Sequence, residues 1–122
     1  MILGIGTDLT DIRRIEKACA KESFLKRVFT EAERREAEEH ISRLAGDFAV
    51  KEAVSKALGT GFSGFWPSDI EVLRNPAGKP YVRLLGEAAR TAEEQNISRI
   101  HVSLTDEGCY VMAFAIAEGD RE

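Results

Sequence analysis

The stretch Ser42-Arg43-Leu44-Ala45-Gly46-Asp47-Phe48-Ala49-Val50-Lys51-Glu52-Ala53-Val54-Ser55-Lys56-Ala57-Leu58-Gly59-Thr60-Gly61 reads as one long helix. Ser42 suits the N-cap, and Gly59 and Gly61 suit a C-terminal stop. Leu44, Phe48, Val50, Val54 and Leu58, with Ala45, Ala49, Ala53 and Ala57, leave no wide polar face, the pattern of a central, buried helix. Glu52 and Lys56 nevertheless stand four residues apart, roughly 40° from each other in projection. Two readings stand at this point. They are an ordinary helix-stabilising pair, or a carboxylate and an ammonium serving a metal or an anion.

Upstream, residues 1–9 read as a strand with Gly4, Gly6 and Asp8 on one face and Leu3, Ile5 and Thr7 on the other. Two glycines beside an aspartate remove bulk where another element or a ligand comes close. Gly4-x-Gly6 is not a dinucleotide fingerprint, because Leu9 stands where the third glycine belongs. Asp8 itself reads as a turn carboxylate or a metal ligand. Thr10 and Asp11 can cap a helix with Ile12, Ile15 and Cys19 inward and Arg13, Arg14 and Lys17 outward. Lys21, Lys26 and Arg27 follow, with Phe24, Leu25 and Phe29 among them, as a solvated face or a landing site for an acidic protein. Thr30-x-x-Glu33 is a capping box that starts a charged, exposed helix running through Glu39. His40 reads as a surface residue in the short connection.

Downstream, the glycines from Gly59 to Gly64 follow a helix, so they are a stop and a turn, not a phosphate-cradling loop at a helix N-terminus. Residues 70–73 and 81–84 form a hairpin around Asn75-Pro76-Ala77-Gly78-Lys79-Pro80. Residues 86–95 read as a helix that Asn96 can end. Residues 99–105 form a strand with Ile100, Val102 and Leu104 on one face and His101, Ser103 and Thr105 on the other. Asp106-Glu107-Gly108 is the turn into a nearly continuous apolar strand from Cys109 to Ala117, which needs cover on both faces. Some of that cover is expected from another subunit. Residues 118–122 read as a frayed polar tail.

With 122 residues the chain is expected to form one domain. Its formal charge of −4 argues against general nucleic-acid binding. Residues 1–30 nonetheless hold six Lys/Arg against four Asp/Glu, a local basic surface on an acidic chain. Cys19 and Cys109 have no metal-ligand or redox spacing and read as reduced thiols. No charged leader precedes the first strand and no apolar run reaches membrane-spanning length, so a cytoplasmic location is expected.

Taken together, Gly4-Ile5-Gly6-Thr7-Asp8, Ile12-Arg13-Arg14-Ile15, Phe48-Ala49-Val50-Lys51-Glu52-Ala53 with Lys56-Ala57-Leu58-Gly59-Thr60-Gly61, Asn75-x-x-Gly78-Lys79-Pro80 and His101-Val102-Ser103-Leu104-Thr105 resemble the holo-acyl-carrier-protein synthases. These are the short type of 4′-phosphopantetheinyl transferase, and order and spacing agree over essentially the whole chain. The resemblance implies an α+β fold over residues 1–122, with a small, largely antiparallel sheet packed around one long central helix, and a homotrimer with active sites between subunits. It implies transfer of the 4′-phosphopantetheine arm of coenzyme A to a serine of apo acyl carrier protein, for fatty acid biosynthesis. Asp8, Glu52 and Lys56 would be catalytic, with Asp8 and Glu52 holding Mg²⁺ against the pyrophosphate. Lys56, Thr60, Lys79, Pro80, His101 and Thr105 would contact coenzyme A, with Lys79 and Pro80 serving the neighbour's site. Arg13, Arg14 and Phe24 would meet the carrier.

The residue chemistry agrees: Mg²⁺ takes one or two protein carboxylates and leaves positions for phosphates and water. The base that deprotonates the serine stays open between a metal-bound or ordered water and Lys56. One position departs from the pattern, because Asp47 stands where relatives commonly carry Arg. Asp47 is placed to pair with Lys51 at i,i+4, and Arg43 one turn earlier could replace the missing cation. A coenzyme A- or carrier-binding module without catalysis is the alternative function. A metal nuclease fails, since its Glu-x-Lys belongs on a strand.

Overall fold

A computed structural model describes residues 1–38 and 40–120. Glu39, Arg121 and Glu122, which the sequence reading assigned to a helix end and a polar tail, lie outside the described residues. The elements run β1 (Ile2–Asp11), α1 (Ile12–Ala18), α2 (Glu22–Val28), α3 (Glu31–Glu36), α4 (Ile41–Ala57), a 3₁₀ turn (Pro67–Asp69), β2 (Ile70–Arg74), β3 (Pro80–Leu84), α5 (Gly86–Glu94), β4 (Ile97–Glu107) and β5 (Tyr110–Gly119). This is the expected α+β arrangement. Three antiparallel strands pair in the order β1-β5-β4, and β2 and β3 form a separate hairpin. No helix among the described residues is long and apolar enough to cross a membrane.

The central helix α4 lies against β1, β5 and β4 on one side and β2 on another. Its Ala45, Ala49, Val50, Ala53 and Val54 are fully buried and meet Val111, Ala113, Ala115 and Ala117 of β5 in one core. Small residues face small residues, so helix and sheet approach closely. The helix starts one residue before Ser42. His40 occupies the N-cap position without a side-chain bond, and its carbonyl takes the Arg43 N–H at 2.9 Å. It ends at Ala57, where Gly59 adopts φ +78° and stops it as expected.

Further expectations need correction, the first being the polar tail, since Glu118 and Gly119 are paired in β5. The helix from Glu31 is short, and Glu33 is fully buried. Its carboxylate accepts from the Thr30 N–H (2.8 Å) to close the capping box, from the Val72 N–H (2.7 Å), and pairs with the Lys51 ammonium at 2.8 Å. Lys51 is therefore not the partner of Asp47; Asp47 binds Arg74 of β2 at 2.6 Å instead. Both side chains leave the helix surface because a buried charge must find a partner where it lies, and β2 and α3 supply it. Burial pushes the Lys51 ammonium below its ordinary pKa while Glu33, Asp47 and Glu71 pull it back. Cys109 lies in the β4–β5 turn, after Gly108 at φ +63°, and not in the strand; Asp106 and Glu107 remain paired in β4.

The outer sheet face is open within one chain. Ile5 is 71% exposed and Phe114 50%, and Leu9, Tyr110 and Ile116 lie exposed beside them. The β5 strand is thus covered on its helix side only.

Candidate active site

Gly4 and Gly6 bring β1 onto α4. A Cβ on Gly6 would lie 1.9 Å from the Ala53 carbonyl oxygen, and one on Gly4 2.0 Å from that of Ala57. Only glycine fits between strand and helix here. Two residues further along the same strand face, Asp8 arrives beside the Glu52–Lys56 row. Its Oδ1 lies 3.5 Å from Lys56 Nζ, and its Oδ2 accepts a hydrogen bond from Thr10 Oγ1 at 2.5 Å. Lys56 Nζ also donates to the Thr7 carbonyl at 3.0 Å.

Glu52 is drawn into the same group. Its carboxyl is raised from its ordinary value by burial first and by repulsion from Asp8 second, and Lys56 and Arg14 oppose the rise. Asp8 and Lys56 thus stand in direct contact, and the charges of Asp8, Lys56 and Arg14 all act on Glu52. Asp8 keeps 14% of its side-chain surface exposed and Lys56 53%, so the group opens to solvent. Among the described residues no three His, Cys, Asp or Glu side chains are placed to hold a metal. Two like-charged acids in reach of each other suit a hard divalent cation that draws its remaining ligands from phosphate and water.

The other residues singled out from the sequence lie elsewhere. Thr60 follows the helix stop and donates its hydroxyl to the Gly61 carbonyl at 2.8 Å. Lys79 lies in the exposed β2–β3 turn, ordered by the Asn75 side chain, which accepts from the Ala77 and Lys79 N–H groups, and Pro80 opens β3 opposite Arg74, half-buried. His101, Ser103 and Thr105 are exposed on the outer face of β4, and His101 Nε2 lies 2.8 Å from Glu118 Oε1. Within one chain His101, Ser103 and Thr105 thus lie on the side of the sheet away from α4.

On the basic front end, Asp11 caps α1 by accepting from the Arg13 N–H, and the Arg13 guanidinium folds back on the same carboxylate at 2.8 Å. Arg14 is exposed, and its charge acts on Glu52. Phe24 is half-buried against Phe29 and Phe48, with ring centroids 6.1 and 6.4 Å away. Sequence reasoning missed Thr10 as the residue that orients Asp8, although its i+2 position on one strand face was a usable signal. It also missed the reach of Arg14 to Glu52, for which no sequence pattern exists.

Known proteins resemble this chain in sequence and in backbone. The family model of the 4′-phosphopantetheinyl transferase superfamily matches residues 4–115. A holo-[acyl-carrier-protein] synthase of Lachnoclostridium phytofermentans is 49% identical over the full length of both chains. The crystal structure of the Neisseria meningitidis holo-[acyl-carrier-protein] synthase superposes with a TM-score of 0.88 at 36% identity, covering 97% of this chain and 99% of that one. The Helicobacter pylori enzyme in complex with coenzyme A gives 0.82 at 30% identity, covering 93% and 99%. Sequence kinship over the whole length and a shared backbone place this chain in the 4′-phosphopantetheinyl transferase superfamily, among its holo-[acyl-carrier-protein] synthases.

Proposed function

We propose that this protein moves the 4′-phosphopantetheine arm of coenzyme A to a serine hydroxyl of apo acyl carrier protein. The serine oxygen bonds to the phosphorus that carries the pantetheine and gives up its proton to a water or to Lys56, the pyrophosphate P–O bond breaks, and adenosine 3′,5′-bisphosphate leaves with the electron pair. The observation that carries this reading is the contact of Asp8 with Lys56, one helical turn from Glu52, on a strand that two glycines bring against α4. Coenzyme A in the H. pylori relative supports the substrate.

Asp8 and Glu52 would hold Mg²⁺, which when bound supplies Lewis-acid stabilisation of charge on the phosphoryl oxygens. Thr10 fixes the rotamer of Asp8 by occupying Oδ2 and leaving Oδ1 toward the cleft. Lys56 holds its ammonium at the mouth of the cleft, where an anionic oxygen can take the place of the Thr7 carbonyl. Arg14 stands where an acidic carrier helix would bring its serine close to Glu52. Arg13 and Phe24 would extend that docking surface.

The apolar outer face of β1 and β5 supports a homotrimer in which each sheet is covered by a neighbour. In that assembly Lys79, Pro80, His101 and Thr105 of one subunit would complete the nucleotide site of the next, with Thr60 contributing from the chain that carries Lys56. A cytoplasmic enzyme built as a single transferase domain fits this reading.

The test is direct. Protein, coenzyme A, Mg²⁺ and apo carrier protein are incubated, and intact-mass spectra show the carrier gaining one phosphopantetheine. Glu52→Gln loses transfer by at least ~10²-fold with the assembly intact. No mass gain on several carriers with folded protein overturns the proposal. Coenzyme A binding without turnover favours the binding module.

A further inference from the structure

Two rows of side chains run along α4 side by side. Glu52 and Lys56 form the open row. Lys51 and Ser55, each one residue earlier and so about 100° round the helix, form a second row that is fully buried. The Lys51 ammonium spends its donors on the Glu33 carboxylate at 2.8 Å, the Ile70 carbonyl at 2.5 Å and the Pro67 carbonyl at 3.2 Å. The Ser55 carbonyl accepts the Thr60 and Gly61 N–H groups, each at 3.2 Å. The connection from α4 to β2 is thereby fastened to α4 at its start by Ser55 and at its end by Lys51. Between these points Gly59, Gly61 and Gly64 take φ of +78°, +59° and +97° with open space around them. The two rows are themselves tied, since Ser55 Oγ donates to the Glu52 carbonyl at 2.7 Å.

A buried ion pair is a weak source of stability, because desolvation cancels most of its attraction. What it supplies here is direction. An apolar side chain at position 51 would fill the space but could not hold two carbonyls of the connecting segment. Glu33 in turn is held by two backbone N–H groups, so the ammonium cannot drift.

We propose that Lys51, anchored by Glu33, is a positioning residue for coenzyme A binding. It fixes both the rotation of α4 that aims Glu52 and the path of the Gly59–Trp66 loop beside Lys56. This rests on the reading of that cleft as the coenzyme A site. Neither residue touches the substrate.

The test is Glu33→Gln/Lys51→Met in the full chain, which removes both charges together. Isothermal titration with coenzyme A and Mg²⁺ gives Kd, and amide exchange reports Thr60 and Gly61. Ala92→Gly in α5, which removes neither charge of the buried pair, controls for an equal loss of Tm. The expected result is a Kd at least tenfold weaker and loop exchange at least tenfold faster, while Ala92→Gly binds within twofold of wild type. A folded double variant that binds within twofold of wild type, with unchanged exchange, overturns the proposal. If the double variant does not fold, Glu33→Gln alone is read the same way: threefold weaker binding with faster loop exchange supports the pin, and no change in either overturns it. A wild-type chain that fails to bind coenzyme A refutes the functional reading instead, and the exchange rates still decide whether Lys51 holds the loop.

Discussion

Replacing Gly6 by Ala tests the architecture of the cleft at its narrowest point. The added methyl carbon would lie 1.9 Å from the Ala53 carbonyl oxygen and 2.8 Å from the Ala57 nitrogen, where real Cβ atoms keep at least 3.0 Å. Both neighbours are main chain of a buried helix, so no side chain can swing aside. Strand and helix must part by about 1.1 Å, an overpacking that costs about 1–3 kcal/mol and lowers Tm by roughly 3–15 °C at fixed protein concentration. The same movement carries Asp8 away from Glu52 and Lys56. A misplacement near 1 Å costs on the order of 10²-fold in rate. Gly4→Ala meets the Ala57 carbonyl at 2.0 Å, an equal clash four residues from Asp8. It should cost similar stability and far less activity. Thermal unfolding and the carrier mass-shift rate, measured on both variants, separate the two effects. Gly6→Ala with wild-type stability and a transfer rate within threefold of wild type would refute the reasoning.

Asp47 sets a pH dependence of stability. Burial lifts its carboxyl to about 6 against the pull of Arg74, so the folded state binds a proton that the unfolded state releases near 3.8. The folded pKa of this acid is raised, so its contribution falls as pH rises from about 4 to 6. The loss is up to about 3 kcal/mol at 1.36 kcal/mol per unit. Asp47→Asn lacks this slope, and its unfolding free energy should gain on wild type by up to that amount between pH 4 and 7.5 in urea titrations; a constant difference across pH contradicts the assignment. Phe114→Glu places a charge on the exposed apolar sheet face, and sedimentation velocity should show the proposed trimer of the wild type replaced by monomers, with transfer activity lost. A fully active variant with unchanged sedimentation removes that face from the interface.

Much of this molecule was legible in the sequence because its signals are local. The alternation of Gly4, Gly6 and Asp8 placed them on one strand face, and the i,i+4 spacing placed Glu52 with Lys56. The hairpin around Asn75 and the stop at Gly59 follow from turn and cap chemistry. What stayed hidden depends on partners distant along the chain. Glu33 looked like one charge among many in an exposed helix, and only β2 packing over it reveals why it is buried. Asp47 chose Arg74 over Lys51 because the fold, not helical spacing, decides which buried cation is nearest. The separation of His101 and Thr105 from the Asp8 cleft was equally illegible, since their strand face is turned outward within one subunit.

The bond from Lys56 to the Thr7 carbonyl has a consequence beyond chemistry. β1 is a border strand of its sheet, and border strands with free carbonyls invite other chains to pair with them. A long cation laid across such a border keeps it from recruiting a stranger. Inactivating Lys56 therefore strips a guard from the sheet as well as a charge from the cleft, so loss of solubility has to be told apart from loss of turnover. A substitution at position 56 is therefore read out twice, once in the proposed phosphate contact and once in the tendency of the sheet border to associate.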